Sequence, residues 1–437
     1  MHAQAKTSWH NAHMQITSYP IVVLGGGIVG KTCALLLAQQ GIRVALVAPL
    51  PTNTDCKTTL LSTANSSAKY TAENTPPTES KTTALPASND RVYALSASSQ
   101  TLLARLRVWQ TLPPERLQAV AEMRVFGDAS GHRAVNFSAY AAAVSELAWI
   151  VHESDIERGL DAALAFAQNI THHRAQAQTL QCFPDHLHLT LEDGHALHAE
   201  CLIGADGVRS WVREQAGITV EKSAYKQTAI VAHFCAERPH HGTALQWFFN
   251  GEILALLPLP NQQFSMVWSA SDKHAASLST MSAEELAMTV QNTATVAQHT
   301  GKLRSLSAPS AYPLNLTCAK SLLGNRIVLV GDAAHRIHPL AGQGLNLGLR
   351  DVAALAQIFS QKENFRSYGD ARLLGRYARA RATDIACMVA ITHGLQRSFA
   401  LPGKLPAHLR NIGIQLLNQW PAAKKFLVTQ ALGHTKI

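Results

Sequence analysis

The first clear pattern in the chain is four consecutive apolar residues, 21–24, running directly into Gly25-Gly26-Gly27-Ile28-Val29-Gly30. An apolar run without alternation reads as a strand buried on both faces. Helical spacing follows over 31–40, Gly41 ends it, and 44–47 is a second β-like run, so the chain begins as a βαβ unit. Order resumes as a strand at 91–96, followed by a helical pattern to about 109. Strands joined by glycine-containing turns are predicted over 123–137, a helix over 155–167, and a short strand over 201–207 that runs into a turn. Residues 222–320 alternate as an antiparallel sheet does, with strands expected at 227–234, 245–249, 254–258 and 264–269 and a helix at 282–297. A continuous apolar strand at 327–330 leads through the glycine-rich stretch 331–348 into a helix reaching 359. The pieces at 21–50, 155–215 and 325–360 bracket the sheet-like pieces, which predicts a two-domain α/β protein whose first domain is discontinuous.

Composition narrows the class. With 437 residues, of which 47% are hydrophobic and 15% charged, the chain can bury a large core. The stretch 51–89 is crowded with Ser, Thr, Asn and Pro and is expected to be a flexible insertion, because such a composition does not offset the entropy of ordering. Lys and Arg outnumber Asp and Glu by 38 to 29, giving a net charge of +9 that suits phosphates or acidic lipid headgroups. The basic residues are dispersed and lack interleaved aromatics, so no nucleic-acid partner is expected.

The seven cysteines (Cys33, Cys56, Cys182, Cys201, Cys235, Cys318, Cys387) never form a C-x-x-C pair. They read as reduced thiols of a cytosol-like compartment. His335 and His338 form an H-x-x-H without a third ligand nearby, and no metal is expected. The first twenty residues lack a secretory pattern, and no apolar run approaches the ~18 residues of a spanning helix.

Three segments carry chemistry. Gly25-x-Gly27-x-x-Gly30 follows a strand and opens a helix, the context in which a glycine triplet holds a dinucleotide pyrophosphate. The acid expected about twenty residues later to take the ribose is missing, because Val47-Ala48-Pro49 stands there. Arg91 begins the ordered segment after the insertion, where the planar fork of a guanidinium suits a phosphate, although taken alone it reads rather as a surface arginine. Gly204-Ala205-Asp206-Gly207-Val208-Arg209-Ser210 with Arg213 is a second strand-to-turn corner, and taken singly it reads equally as a structural turn. In the third segment, 331–351, a strand ends at Gly331 so that Asp332 faces a ligand hydroxyl, and 339–344 is a small-residue loop at a helix N-terminus.

These three motifs, in this order, resemble those of the FAD-dependent aromatic hydroxylases with the p-hydroxybenzoate hydroxylase fold. His338-Pro339-Leu340-Ala341-Gly342-Gln343-Gly344 with Asn346, Gly348 and Asp351 resembles the signature of the branch that hydroxylates polyprenyl phenols in ubiquinone biosynthesis. Arg91 ahead of Ala94-Leu95-Ser96 resembles the family's FAD-contacting arginine, and 227–229 with 256–260 resemble strands of the branch's substrate domain. The resemblance spans roughly 20–430 apart from the insertion. It departs at Ala48, where relatives carry the ribose-binding acid.

The resemblance implies a discontinuous Rossmann-like FAD-binding domain at 20–106, 149–219 and 321–400. It also implies a mainly antiparallel β-sheet substrate domain at 107–148 and 220–320, and a C-terminal helical segment at 401–437. FAD is expected at Gly25, Gly27, Gly30, Arg91, Asp206, Gly207, Arg209, Asp332, Pro339, Gly342, Gln343, Gly344 and Asn346, with Pro339, Gly342, Gln343 and Gly344 at the flavin ring. NAD(P)H is the implied reductant and O2 the co-substrate, reacting through a flavin C4a-hydroperoxide, so no side-chain acid or base is assigned.

The implied substrate is a polyprenyl phenol, with other ubiquinone-biosynthesis proteins as partners. The implied place is cytoplasmic or peripheral at the inner membrane face; 405–426 mixes apolar and basic residues that suit either a membrane interface or packing against the FAD-binding domain. Two rival readings are a non-catalytic flavin-binding scaffold of a quinone-synthesis complex and an epoxidase or reductase of the same fold.

Overall fold

The computed structural model describes residues 16–49, 90–127, 134–337 and 343–400, apart from the side chains of 393 and 395–400. The insertion at 51–89 and the segment 401–437 lie outside the described residues.

The βαβ start is β1 (Ile16–Leu24), α1 (Ile28–Gln39) and β2 (Val44–Val47). The ordered segment after the insertion gives β3 (Val92–Leu95) and α2 (Ala97–Arg105). Ser96 caps α2 by accepting from the Ser99 N–H, which fixes where the extended chain turns helical. β4 (Gln118–Val120), β5 (Glu122–Phe126), β6 (Ala134–Ser138), the single turn α3 (Ala139–Ala142), β7 (Ala148–His152) and α4 (Glu153–Ala165) follow. The chain then forms β8 (Ile170–His173), β9 (Ala177–Cys182), β10 (Leu187–Leu191), β11 (Ala196–Gly204) and α5 (Trp211–Gln215). The sequence pattern missed β8 to β10; exposed His, Gln and Thr positions weaken the apolar signal of β8 and β9, and β10 is only five residues long.

β1 is flanked by β2 and β11, β8 lies beyond β2, and β19 (Ile327–Leu329) lies beyond β11, all parallel. β18 (Leu323–Gly324) pairs antiparallel with β19, and the β9–β10 hairpin hangs on β11. Ile21, Val22 and Val23 are all fully buried, because Ile21 and Val23 face one core and Val22 the other. That double burial explains why 21–24 shows no alternation.

The second sheet is antiparallel along most of its length. Its strands are β12 (Val220–Ala236), β13 (Thr243–Phe249), β14 (Glu252–Leu259), β15 (Gln263–Ser271), β16 (Leu303–Ser305), β17 (Ser310–Ala319) and β20 (His335–Arg336), together with β5 and β6. β12 is longer than the pattern at 227–234 implied, because its polar first half pairs with β17 across a bulge between Ala224 and Gln227 where Lys226 has φ 54°. One face of this sheet, with Ile230, Phe234, Met266 and Trp268, buries against α6 (Asp272–Ser279) and α7 (Ala283–Asn292). The helix expected over 282–297 is two, α7 and α8 (Val296–Thr300), because Ala294 adopts φ 48° between them. On the opposite face of the sheet Ala244 and Leu259 pack against Ala94, Val120 and Ile150 of a third, three-stranded sheet in the order β3-β7-β4.

Two helices complete the described chain: α9 (Gln343–Ser360), starting where the sequence placed it, and α10 (Ala371–Ala400). α10 docks under the parallel sheet, its buried Tyr377 donating to the Leu329 carbonyl at 3.0 Å. Among the described residues no helix is long and apolar enough to cross a membrane.

Candidate cofactor and substrate cavity

The glycines of the first motif do separate jobs. Gly25 has φ 131°, and a Cβ there would lie 2.2 Å from the Ala205 carbonyl oxygen, so no other residue lets β1 and β11 meet this closely. A Cβ on Gly30 would lie 2.0 Å from the Gly25 carbonyl oxygen, so Gly30 lets α1 seat on the turn. Gly27 differs: it is the N-cap of α1, provides no side-chain cap, and has open space where a Cβ would point. That leaves the first N–H groups of α1 facing a vacant concavity, as an anion requires.

The second motif converges on the same place. Gly207, at φ 77°, also faces open space. Asp206 accepts from the Val212 N–H at 2.9 Å, which fixes the corner ahead of α5, and burial pushes its carboxyl up against its hydrogen bonds to Ser210 and the backbone. Arg213 is 5% exposed and bridges to the third motif, donating to the carbonyls of Val208 at 2.9 Å and Ala333 at 2.8 Å. Val29 supplies another link, packing where a Cβ on Gly331 or Gly348 would stand.

The third motif is held from behind by one buried carboxylate. Asp351, fully buried, accepts from the Gly331 N–H at 2.9 Å, His335 Nε2 at 2.6 Å and Arg381 Nε at 2.7 Å. Burial works to raise its pKa, but His335 and Arg381 outweigh burial and hold it below the usual carboxylate range. His335 thus serves Asp351; His338 lies outside the described residues. Asp332 opens into the cavity yet sits deep among protein atoms. Its carboxyl is pushed up by that burial, against the pull of His335, Arg336 and Arg91.

These motifs border one cavity of about 710 Å³, which the second sheet and the small sheet of β3, β7 and β4 also line. Of the site residues expected from sequence, Gly27, Arg91, Gly207, Asp332, Gln343 and Gly344 line it. Gly25, Gly30 and Asp206 shape the walls from behind, and Arg209 is exposed and does not border it. Pro339 and Gly342 lie outside the described residues.

Asn346, another of the residues expected at the cofactor, stands with its side chain turned to the protein. Fully buried, it accepts from the Ser96 N–H and Ser99 Oγ and donates to the Ala94 carbonyl, so its amide braces β3 and α2 against α9. Arg91 lies 5.6 Å from the Tyr93 ring and 5.2 Å from the Tyr312 ring, with Glu153 at 3.9 Å, so its guanidinium is held at the cavity lining by both rings.

The open cradle at Gly27 and Gly207 fits the pyrophosphate of a dinucleotide, and the open N-terminal turn of α9 at Gly344 fits a flat ring able to carry negative charge. Residues 135–391 match the family model described as FAD binding domain. The chain belongs to the FAD-dependent aromatic hydroxylase family.

Within this family it is 30% identical over 420 residues to the Rhodospirillum rubrum protein named ubiquinone hydroxylase UbiL, covering 95% of this chain and 90% of that protein. It is also 30% identical over 428 residues to the Escherichia coli K12 3-demethoxyubiquinol 3-hydroxylase, covering 94% of this chain and 98% of that protein. Among solved structures, PqsL from Pseudomonas aeruginosa, a probable FAD-dependent monooxygenase, superposes with a TM-score of 0.69 at 18% identity over 91% of this chain and all of that one. That likeness speaks for the flavoprotein fold. The family's usual acid after β2 is here Ala48, whose Cβ sits 2.6 Å from where a Cβ on Gly26 would be.

Proposed function

We infer that this protein is an FAD-dependent monooxygenase that hydroxylates the aromatic ring of a polyprenyl phenol in ubiquinone biosynthesis. The observation that carries this reading is one continuous cavity, glycine-lined and charged at one end, walled by an apolar sheet face at the other. Its chain-long relatives, named as ubiquinone hydroxylases, supply the substrate class.

FAD is held at Gly27, Gly207, Asp332, Gln343 and Gly344, with Arg91 in the same lining. The chemistry supplied by bound FAD is activation of dioxygen with electrons from NAD(P)H and delivery of one oxygen atom to an electron-rich ring. The chain's own residues bind and orient. The N–H groups of α1 take up phosphate charge, the start of α9 stabilises negative charge on the flavin, and the wall of Val231, Ala255, Leu257 and Val267 excludes water from the ring.

The reading extends to a peripheral place at the inner membrane face and to contacts with other proteins of the pathway, because a prenylated substrate resides in lipid and the chain carries +9. Liposome sedimentation with anionic vesicles tests the membrane contact.

The deciding experiment expresses the chain in strains lacking each ubiquinone-pathway hydroxylase and identifies the quinone intermediates by mass spectrometry. Restoration of ubiquinone in one strain is expected. Failure in every strain, with the protein present and yellow, refutes the pathway assignment.

A further inference from the structure

One cross-strand row of the sheet wall sets an amide among apolar residues. Side by side across six strands stand Val135, Val125, Gln246, Ala255, Val267 and Val231, and all six border the cavity. Gln246 is 5% exposed, and among the described residues its carboxamide has no hydrogen-bond partner. Its neighbour Trp247 turns to the core behind the sheet, so the alternation of β13 fixes Gln246 on the cavity side.

Apolar neighbours surround it on this face: Ala244 and Phe248 along its own strand, Val125 and Ala255 across. The amide opens into the cavity rather than into the protein interior, and a methionine or leucine would fill the same space without offering any polar group there. What an amide adds is one acceptor and two donors at a fixed point in an apolar wall.

Resting on the hydroxylase reading above, we propose that Gln246 recognises oxygen atoms on the aromatic ring of the substrate and thereby sets which ring carbon faces the flavin. Its N–H groups donate to an alkoxy oxygen beside the reacting phenol, while the apolar row around it accepts the ring and the first part of the prenyl chain. A site built to hydrogen-bond an oxygen rejects the analogue lacking it far more strongly than an apolar wall distinguishes one methylene. Gln246 is therefore the specificity-determining residue of the ring pocket.

The test compares the full-length, FAD-loaded wild type with Gln246→Met on two probes: a geranyl phenol bearing an ortho methoxy group, and the same phenol with ortho ethyl, of equal shape. Hydroxylated product per NAD(P)H, KM, flavin affinity and melting temperature are measured for both proteins. In Gln246→Met the expected result is an unchanged or higher melting temperature, unchanged FAD affinity, and a tenfold or greater loss of kcat/KM on the methoxy probe. The wild type's preference for methoxy over ethyl is expected to fall toward one.

If Gln246→Met keeps the wild-type preference and its kcat/KM within twofold, the proposal is overturned. It is equally overturned if both probes fall together with the melting temperature, since that marks a structural role. Should the wild type hydroxylate neither probe while holding FAD, the failure belongs to the hydroxylase reading itself.

Discussion

Gly27 and Gly30 sit three residues apart in one motif, yet the structure gives them opposite tasks, and alanine at each separates folding from cofactor binding. At Gly30 the added Cβ would stand 2.0 Å from the Gly25 carbonyl oxygen, roughly 1 Å inside the closest approach of such atoms, and the obstacle is backbone. α1 has to move away from the β1 turn, and α1 buries nine residues, including Leu35, Leu36 and Leu37. Overpacking of this kind costs about 1–3 kcal/mol.

At Gly27 nothing lies within 4 Å of the added Cβ, and the backbone, at φ −80°, already suits alanine. The only folding cost is that of alanine at an N-cap, about 0.5–1 kcal/mol. That Cβ nonetheless enters the concavity where phosphate approaches the N–H groups of α1. A tenfold rise in the FAD Kd, about 1.4 kcal/mol, is the least expected. Urea unfolding of the apoprotein measures the first effect, and titration of FAD followed by flavin fluorescence measures the second. Gly27→Ala is expected to unfold almost as the wild type does and to bind FAD at least tenfold more weakly, whereas Gly30→Ala loses both stability and binding. Wild-type FAD affinity in Gly27→Ala, or a larger stability loss there than in Gly30→Ala, would refute the assignment of this concavity to phosphate.

Two further outcomes follow from buried groups. Asp351→Asn breaks the paired donors His335 and Arg381 and is expected to cost about 3 kcal/mol in urea unfolding. Because the native pKa of Asp351 is lowered, its stabilisation is complete above the unfolded carboxyl range of about 4 and fades as pH falls through the native value, so the variant's acid unfolding profile should be flatter there than the wild type's. Burial pushes the Cys33 thiol up to about 12, so iodoacetamide at pH 8 should leave Cys33 unmodified in the native protein while alkylating the exposed Cys182; mass spectrometry of tryptic peptides reports both, and early labelling of Cys33 would contradict its burial in α1.

What could be read from the chain followed from how densely each stretch commits its residues. The 21–30 and 331–348 segments combine continuous apolar strands with glycines whose freedom is required, so strand, turn and helix all announce themselves. β9 is mostly exposed and polar, with residues such as Gln178 and Gln181, and carries little apolar signal, whereas β10 alternates buried Leu187, Leu189 and Leu191 with His188 and Thr190 over only five residues. That the Asn346 amide also braces β3 and α2 could not be read from its glycine-rich motif, because its partners Ser96 and Ala94 stand some 250 residues earlier in the chain. Gln246 was invisible for a related reason. One glutamine in a β-like run, Leu245-Gln246-Trp247-Phe248-Phe249, reads as an ordinary outward polar residue. Only the register with β5 and β14 shows that outward here means into a cavity.

The bonds that Asp351 gathers have a consequence in time. The carboxylate holding Gly331 in place is itself neutralised by Arg381, and Asp384 in turn pairs with both Arg381 and Arg350. The glycine-rich turn of the first motif leaves the ribosome more than 300 residues before those partners are synthesised. A nascent chain therefore exposes one wall of the flavin site throughout most of translation without being able to close it. Cofactor loading belongs to the last moments of synthesis or after release, and a message truncated ahead of α10 yields a polypeptide that displays the glycine motif but cannot retain its prosthetic group.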